Sequence, residues 1–221
     1  MPAVRRATAV RRAAGAVLAG AAVLLASCAP STSTALAPRG LEAAADGWHG
    51  LPLEPGTTLP TSPLRTTDGR TVRLSEELAG APALLFFGYT SCPDICPIHL
   101  ATIASAMGTT RTRYDQVRVV FVAVDPARDT PERIDEFLAA FDRRMLGLYG
   151  GLDEVGAALA ELDLPGPVVE GPDPRGEGDL IGHPAQVIGF DADGAARRVW
   201  PFGARRADWI ADLPRIVAEW S

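Results

Sequence analysis

The sequence predicts an α/β domain in which helices flank a mixed β-sheet. Three observations support this prediction: two continuous apolar runs of strand length, segments of helical period between and after them, and two Asp-Gly turns between short alternating segments. Continuous apolar runs are typical of strands buried on both faces, whereas an apolar repeat at i, i+3, i+4 and i+7 is typical of a helix that packs on one face. Because an Asp-Gly hairpin pairs its strands antiparallel, the sheet should be mixed rather than entirely parallel.

The first half of the domain contains both buried strands. An N-terminal β-hairpin is expected at residues 64–74, around the first Asp-Gly pair. The buried strands are expected at residues 83–88 and 117–124, and a helix from about residue 97 to 107 connects them. A second hairpin is expected around the later Asp-Gly pair, within residues 185–200.

Three more helices are expected after the second buried strand. Thr130 is a favourable N-cap and Pro131 a favourable first residue for the earliest of them. The apolar positions that define the three helices are Ile134, Phe137, Leu138 and Phe141; Leu152, Val155, Leu159 and Leu162; and Trp209, Ile210, Leu213, Ile216, Val217 and Trp220.

Composition limits the function classes. The chain has 221 residues, of which 47% are hydrophobic and 22% charged, values typical of a folded domain with additional segments. The formal net charge is -6, so the protein lacks the basic excess that neutralises a phosphate backbone. Nucleic acid is therefore not an expected partner.

The N-terminal residues resemble a bacterial export signal. Residues 1–27 contain four arginines and no acidic residue, and an apolar run ends at Leu25-Ala26-Ser27-Cys28. This ending resembles the lipobox of bacterial lipoproteins, in which the cysteine becomes the lipidated first residue. We therefore expect a lipoprotein signal peptide at residues 1–27, a lipid-anchored flexible tether at 28–55, and the folded domain at 56–221.

The remaining cysteines, Cys92 and Cys96, carry the strongest chemical information. They follow a buried strand and precede a helix, which places them at the sheet edge where α/β folds bind ligands. Because Cys96 lies at the start of the helix, the helix dipole is expected to favour its thiolate. An inert disulfide is the alternative in an exported protein, but a bridge that closes so short a loop stabilises little.

Two segments around these cysteines resemble the Sco/SenC family of thioredoxin-fold copper proteins. The matching segments are FFGYTSCPDICP from Phe86 to Pro97 and VAVDPARDTPE from Val122 to Glu132, and His183 precedes a strand that ends in FDADG. The resemblance implies a thioredoxin-like fold for the domain. It also implies that Cys92, Cys96 and His183 bind one copper ion per chain, as Cu(I) or Cu(II).

The same resemblance implies a function. Such a protein would deliver copper to, or prepare the thiols of, the binuclear copper centre of cytochrome c oxidase. Its partners would be the copper-bearing oxidase subunit and a copper donor protein or thiol reductant. With Cys28 lipidated, it would be anchored on the extracytoplasmic face of the bacterial cell membrane. This activity is that of a metallochaperone more than that of an enzyme.

Two other function classes remain open. Cys92 and Cys96 could form the redox-active pair of an extracytoplasmic thiol-disulfide oxidoreductase, although the common redox motif has two residues between its cysteines and this one has three. A lipoprotein interaction module would leave the cysteine spacing unexplained. Copper binding needs His183, whereas disulfide exchange does not.

Three neighbouring features have alternative interpretations. His99 is three residues after Cys96 and is a rival ligand, but we expect it on the helix surface. Residues 165–182 are acidic and rich in Pro and Gly, and are expected to form either a mobile loop that carries His183 or a surface insertion. Asp125, Arg128 and Asp129 are expected either to form an acidic and basic rim that docks a partner or to take part in helix capping and loop ion pairs, and capping is preferred for Asp129.

Overall fold

The structure is a computed structural model that describes residues 41–221. The expected signal peptide, Cys28 and the first part of the expected tether lie outside the described residues. The strands are β1 (Leu51–Pro52), β2 (Pro63–Thr66), β3 (Thr71–Arg73), β4 (Ala83–Gly88), β5 (Arg118–Ala123), β6 (Leu146–Tyr149), β7 (Val168–Pro172), β8 (Asp179–Gly182), β9 (Val187–Phe190) and β10 (Ala196–Trp200). The helices are α1 (Leu74–Glu77), α2 (Ile95–Thr110), α3 (Pro131–Ala139), α4 (Leu152–Ala160) and α5 (Arg206–Glu219).

Eight of the strands form one mixed sheet in the order β1-β10-β9-β4-β5-β6-β2-β3. Strands β4, β5 and β6 are parallel neighbours, and the other pairings are antiparallel. Every residue of β4 is buried, as expected of a central strand with both faces covered. The prediction of a mixed sheet flanked by helices, with an N-terminal β-hairpin formed by β2 and β3, is confirmed.

Local sequence signals explain most of the element boundaries. Strand β4 has the bounds that its apolar run predicts. The Thr130 side chain caps α3 by accepting a hydrogen bond from the Arg133 N–H, and Pro131 is the first helical residue. Helix α2 begins before the expected position because the Asp94 carboxylate accepts a hydrogen bond from the Ile95 N–H.

Residues 165–182 form a hairpin rather than an irregular loop. Strands β7 and β8 pair antiparallel, with a register irregularity between Val169 and Gly171. Gly178 adopts a φ of +96°, and a Cβ atom there would lie 2.6 Å from a guanidinium nitrogen of Arg128. The glycine therefore allows both the turn and the close approach of the arginine.

The last part of the expected tether, before residue 55, packs on the domain. Strand β1 pairs with β10, and Trp48, which is 2% exposed, stacks on Trp220 with ring centroids 5.2 Å apart. The guanidinium groups of Arg198 and Arg215 lie over the Trp48 ring. Apolar residues in this segment follow no helical or strand period, so the sequence does not indicate the contact between Trp48 and Trp220.

A buried carboxylate on α5 holds the same segment. Asp212 is fully buried and accepts hydrogen bonds from the backbone N–H groups of His49 and Gly50 and from the Trp200 indole. The His49 ring also contacts the carboxylate, at 3.1 Å. These donors replace water around the charge, which would otherwise be costly to bury.

Within residues 41–221, no helix combines the length and the hydropathy that a membrane span requires.

Replacing Asp212 with Ala should destabilise the domain by about 3 kcal/mol or more, because several buried donors lose their acceptor together. The free energy of unfolding from chemical denaturation measures this loss. Asp135→Ala, at an exposed position on α3, is the control and should change stability by about 0.5 kcal/mol or less. An equal effect of the two substitutions would contradict the role assigned to Asp212.

Candidate metal centre

The strand pairing brings two distant segments to one edge of the sheet. Strand β4 runs antiparallel to β9, and Phe86 pairs with Val187. The segment that follows β4, with Cys92 and Cys96, therefore lies beside the loop that precedes β9, with His183. These segments are almost 90 residues apart in sequence, and the sheet makes them neighbours.

Cys92, Cys96 and His183 converge at this edge. One ligand atom from each residue lies within 4.8 Å of the others, and the Cys96 Sγ and His183 Nε2 atoms are 3.6 Å apart. Both cysteines are free thiols. The two sulfurs and the imidazole thus face one small volume, as a shared metal site requires.

The His183 ring is oriented by its own loop. Its Nδ1 atom lies 3.0 Å from the Pro184 carbonyl oxygen, which can only accept, so Nδ1 donates. Nε2 is therefore the ring nitrogen that faces the sulfurs. The rings of Phe86 and Tyr89 pack against the His183 ring in T-shaped arrangements, with ring centroids 6.0 Å and 5.6 Å from that of His183. A ring fixed in this way presents one defined nitrogen to a ligand.

The two thiols differ in acidity. The pKa of Cys92 is lowered to about 4, mainly by a hydrogen bond with the Cys96 thiol and further by hydrogen bonds with the His183 side chain and the backbone N–H groups of Cys96 and Asp94, which together outweigh the effect of burial. Burial raises the pKa of Cys96, and the neighbouring Cys92 raises it further. The expectation that Cys96 is the favoured thiolate is wrong: the start of α2 directs the Cys96 N–H to the Cys92 sulfur at 3.4 Å.

Tight packing explains the burial of Cys96. A Cβ atom at Gly88, the last residue of β4, would lie 2.8 Å from the Cys96 sulfur and 2.9 Å from Phe121. The absent side chain creates the space for the sulfur. The sulfur therefore lies under the sheet edge, whereas Cys92 remains closer to solvent.

Two arginines attach the β7–β8 hairpin to the site. The Arg128 guanidinium donates to the Glu177 carbonyl at 2.7 Å, pairs with Asp125, and lies over the Tyr89 ring. Arg175 pairs with Asp173 and donates to the Ser91 carbonyl at 2.8 Å. The segment before His183 is thus fixed to the rest of the site at several points.

A cleft of about 280 Å³ leads to the site. Cys92 and His183 line it together with residues of β7 and β8. Glu170 and Asp94 are also part of the lining, so the approach is acidic. A cation can therefore reach Cys92 and His183 from solvent, whereas Cys96 is buried behind them.

The structure places the other singled-out residues differently from the sequence expectations. His99 is buried rather than on the helix surface, and it is outside the group of three converging residues. Asp129 caps no helix: its carboxylate accepts hydrogen bonds from the Thr90 N–H and hydroxyl, so it supports the segment that follows β4. Tyr89 was not identified from the sequence, because no local pattern indicates contact with a residue so far along the chain.

The fold and the site define a thioredoxin-like protein with a Cys-Cys-His centre at the edge of its sheet. The SCO1/SenC family matches residues 61–218, which is well over half of the chain. The chain belongs to the SCO1/SenC family.

Individual relatives agree with this assignment. Protein SenC of Rhodobacter capsulatus is 41% identical over 78 residues, which cover 35% of each chain. Bradyrhizobium japonicum ScoI with copper bound is 28% identical with a TM-score of 0.60, covering 76% of this chain and 98% of that one. Apo Sco1 of Thermus thermophilus is 29% identical with a TM-score of 0.65, covering 76% and 96%. The chain spans 35% to 59% of the length of the first curated relatives.

The acidity of Cys92 can be tested by titration. In the reduced protein, the ultraviolet absorbance of one thiolate should disappear as the pH falls through about 4. Cys96→Ala removes the main hydrogen-bond partner and should raise this pKa, and Cys92→Ser should abolish the acidic step. A first thiolate step near the ordinary thiol value of 9.0 would contradict the assignment.

Proposed function

We propose that the protein is a copper-binding assembly factor for cytochrome c oxidase, which delivers copper to the binuclear copper centre or prepares its thiols. The observation that carries this proposal is the convergence of two free thiols and one imidazole within 4.8 Å. Cys92, Cys96 and His183 are the proposed ligands of one copper ion.

The donor set suits copper in both oxidation states. Thiolates are soft ligands that favour Cu(I), and the imidazole nitrogen makes Cu(II) acceptable as well. A structural zinc site normally has four protein ligands, whereas the group formed by the described residues has three. A cargo ion held by three ligands keeps a position open for a partner's ligand, which favours transfer over permanent storage.

The comparisons support copper as the cargo. The B. japonicum ScoI structure has copper bound. Another Sco protein with a similar fold is described as a member of the Sco family of cytochrome c oxidase assembly proteins. On this basis we assign the copper-bearing oxidase subunit as the recipient, with a copper donor protein or a thiol reductant as the second partner.

A thiol-disulfide oxidoreductase is the second candidate, and the acidity of Cys92 favours it. The Cys92 thiolate would attack a partner disulfide, and Cys96 would then attack the mixed disulfide and release the reduced partner. Two protein thiols become a disulfide while the partner's disulfide becomes two thiols. This reaction needs neither copper nor the His183 imidazole.

The location is the extracytoplasmic face of a bacterial cell membrane, with Cys28 as the site of lipid attachment. The Leu-Ala-Ser-Cys ending of the export signal supports this proposal. One acyl chain binds a membrane weakly, whereas two or more anchor a protein stably.

Replacing Cys28 with Ser should release the protein from the membrane fraction of cells. Fractionation of cells that produce the native and the substituted chain measures this change. A native protein that is soluble after removal of its signal would show that it has no lipid anchor.

The choice between copper delivery and disulfide exchange depends on His183. Either cysteine substitution, Cys92→Ser or Cys96→Ser, should abolish tight binding of both copper states, because at most one soft ligand remains. His183→Ala should mainly weaken Cu(II), because two thiolates still satisfy Cu(I). The measurements are copper stoichiometry, Cu(II)-thiolate absorption, and oxidase activity of cells under limiting copper.

The oxidoreductase alternative predicts a different pattern. There, His183→Ala would retain full oxidase activity, and the loss caused by Cys92→Ser would not be restored by added copper. That combination would overturn copper delivery. His49→Ala is a control, because His49 contacts Asp212 and is not one of the three converging residues.

A further inference from the structure

His99 is a buried histidine that the proposed copper site does not use. It lies on α2, three residues after Cys96, and is 1% exposed. Its ring packs between Phe86 and Phe202, at centroid distances of 5.2 Å and 5.7 Å. A buried polar ring needs a hydrogen bond to offset its lost hydration. The group that accepts this bond from His99 therefore indicates the structural role of the residue.

That partner is the loop that carries His183. The His99 Nε2 atom lies 2.9 Å from the Ala185 carbonyl oxygen. Because a carbonyl can only accept, Nε2 is the donor of this bond, which leaves Nδ1 as the other polar atom of the ring. Within residues 41–221, this Nδ1 atom has no hydrogen-bond partner. The one polar contact that offsets the burial of the ring is therefore the bond to Ala185.

Two histidines thus bind successive carbonyl groups of one short loop. His183 donates to the Pro184 carbonyl, and His99 donates to the carbonyl of Ala185, the next residue. Both rings also contact Phe86. The first bond orients the His183 ring within its loop, and the second joins that loop to the helix that carries Cys96.

The connection matters because residues 183–186 lie between β8 and β9 and belong to neither strand. A loop without ladder hydrogen bonds depends on individual contacts for its position. Any shift of the Ala185 backbone moves His183, two residues earlier, relative to the sulfurs of Cys92 and Cys96.

We propose that His99 is a positioning residue that holds the 183–186 loop on α2 and so sets the distance from the His183 imidazole to the two thiols. Its effect is expected in the Cu(II) state, in which the imidazole is needed, and not in Cu(I) binding by the thiolates. The copper part of this inference rests on the proposed function, whereas the loop attachment does not.

A matched pair of amide substitutions tests the hydrogen bond. In His99→Gln the side-chain N–H₂ group reaches about as far as Nε2, whereas in His99→Asn it ends near the position of Nδ1. His99→Asn should lower Cu(II) affinity by about 10- to 100-fold, the usual effect of losing a group that orients a ligand, and should weaken the Cu(II)-thiolate absorption. His99→Gln should retain most of both, and Cu(I) affinity should change little in either variant.

A double-mutant cycle shows whether His99 acts through His183. If it does, His99→Asn should have no further effect on Cu(II) affinity in a protein that already contains His183→Ala. An equal loss in both backgrounds would overturn the proposal, because His99 would then act independently of that ligand.

A measurement without copper separates this inference from the proposed function. In the reduced, metal-free protein, His99→Asn should speed amide hydrogen exchange at Ala185 and Gln186, and His99→Gln should not. Unchanged exchange in His99→Asn would overturn the positioning role. If the native protein binds no copper, the proposed function is refuted. The hydrogen-exchange measurement still shows whether His99 holds the 183–186 loop on α2.

Discussion

The antiparallel pairing of β4 with β9 is the constraint on which the site depends. Strand β4 ends at the segment that contains Cys92 and Cys96, and β9 begins just after His183, so their pairing places the ends of both segments side by side. Neither the cysteine spacing nor the helix start could bring the imidazole there. Because β4 is buried along its whole length, a shift of its register would remove apolar residues from the core at the same time as it separated the three converging side chains. The stability of the core therefore also protects the geometry of the site.

At this edge of the sheet, the two sulfurs lie in different environments. This difference determines the acidity of each thiol and so the chemistry of the site. Cys96 occupies space that Gly88 leaves open and is shielded by the core, whereas Cys92 receives hydrogen bonds and borders the cleft. The lowered pKa of Cys92 favours its thiolate, whereas burial favours the protonated form of Cys96. An acidic rim with an ionised thiol behind it attracts cations, and it also suits attack on a disulfide. The imidazole, and not the thiols, distinguishes the two chemistries.

Features encoded over a few residues could be predicted from the sequence, and features that depend on distant contacts could not. The bounds of β4 and the cap of α3 at Thr130 follow from hydrophobicity and local hydrogen bonding. The trio of Cys92, Cys96 and His183 was expected because of a family resemblance, since no physical rule links residues so far apart. The local sequence around Trp48 indicates a tether, because its contact, Trp220, lies at the other end of the chain. His99 was expected at the surface because helical spacing does not reveal a loop that covers the helix.

The arrangement of the sheet margins has a consequence for association between molecules. The outermost strands, β1 and β3, contain two and three residues, so few unpaired backbone groups face outward at either margin. Short margins of this kind discourage sheets from pairing edge to edge into larger aggregates. Strand β1 also covers β10, whose five residues would otherwise offer a longer template. The segment around Trp48 therefore serves solubility as well as folding.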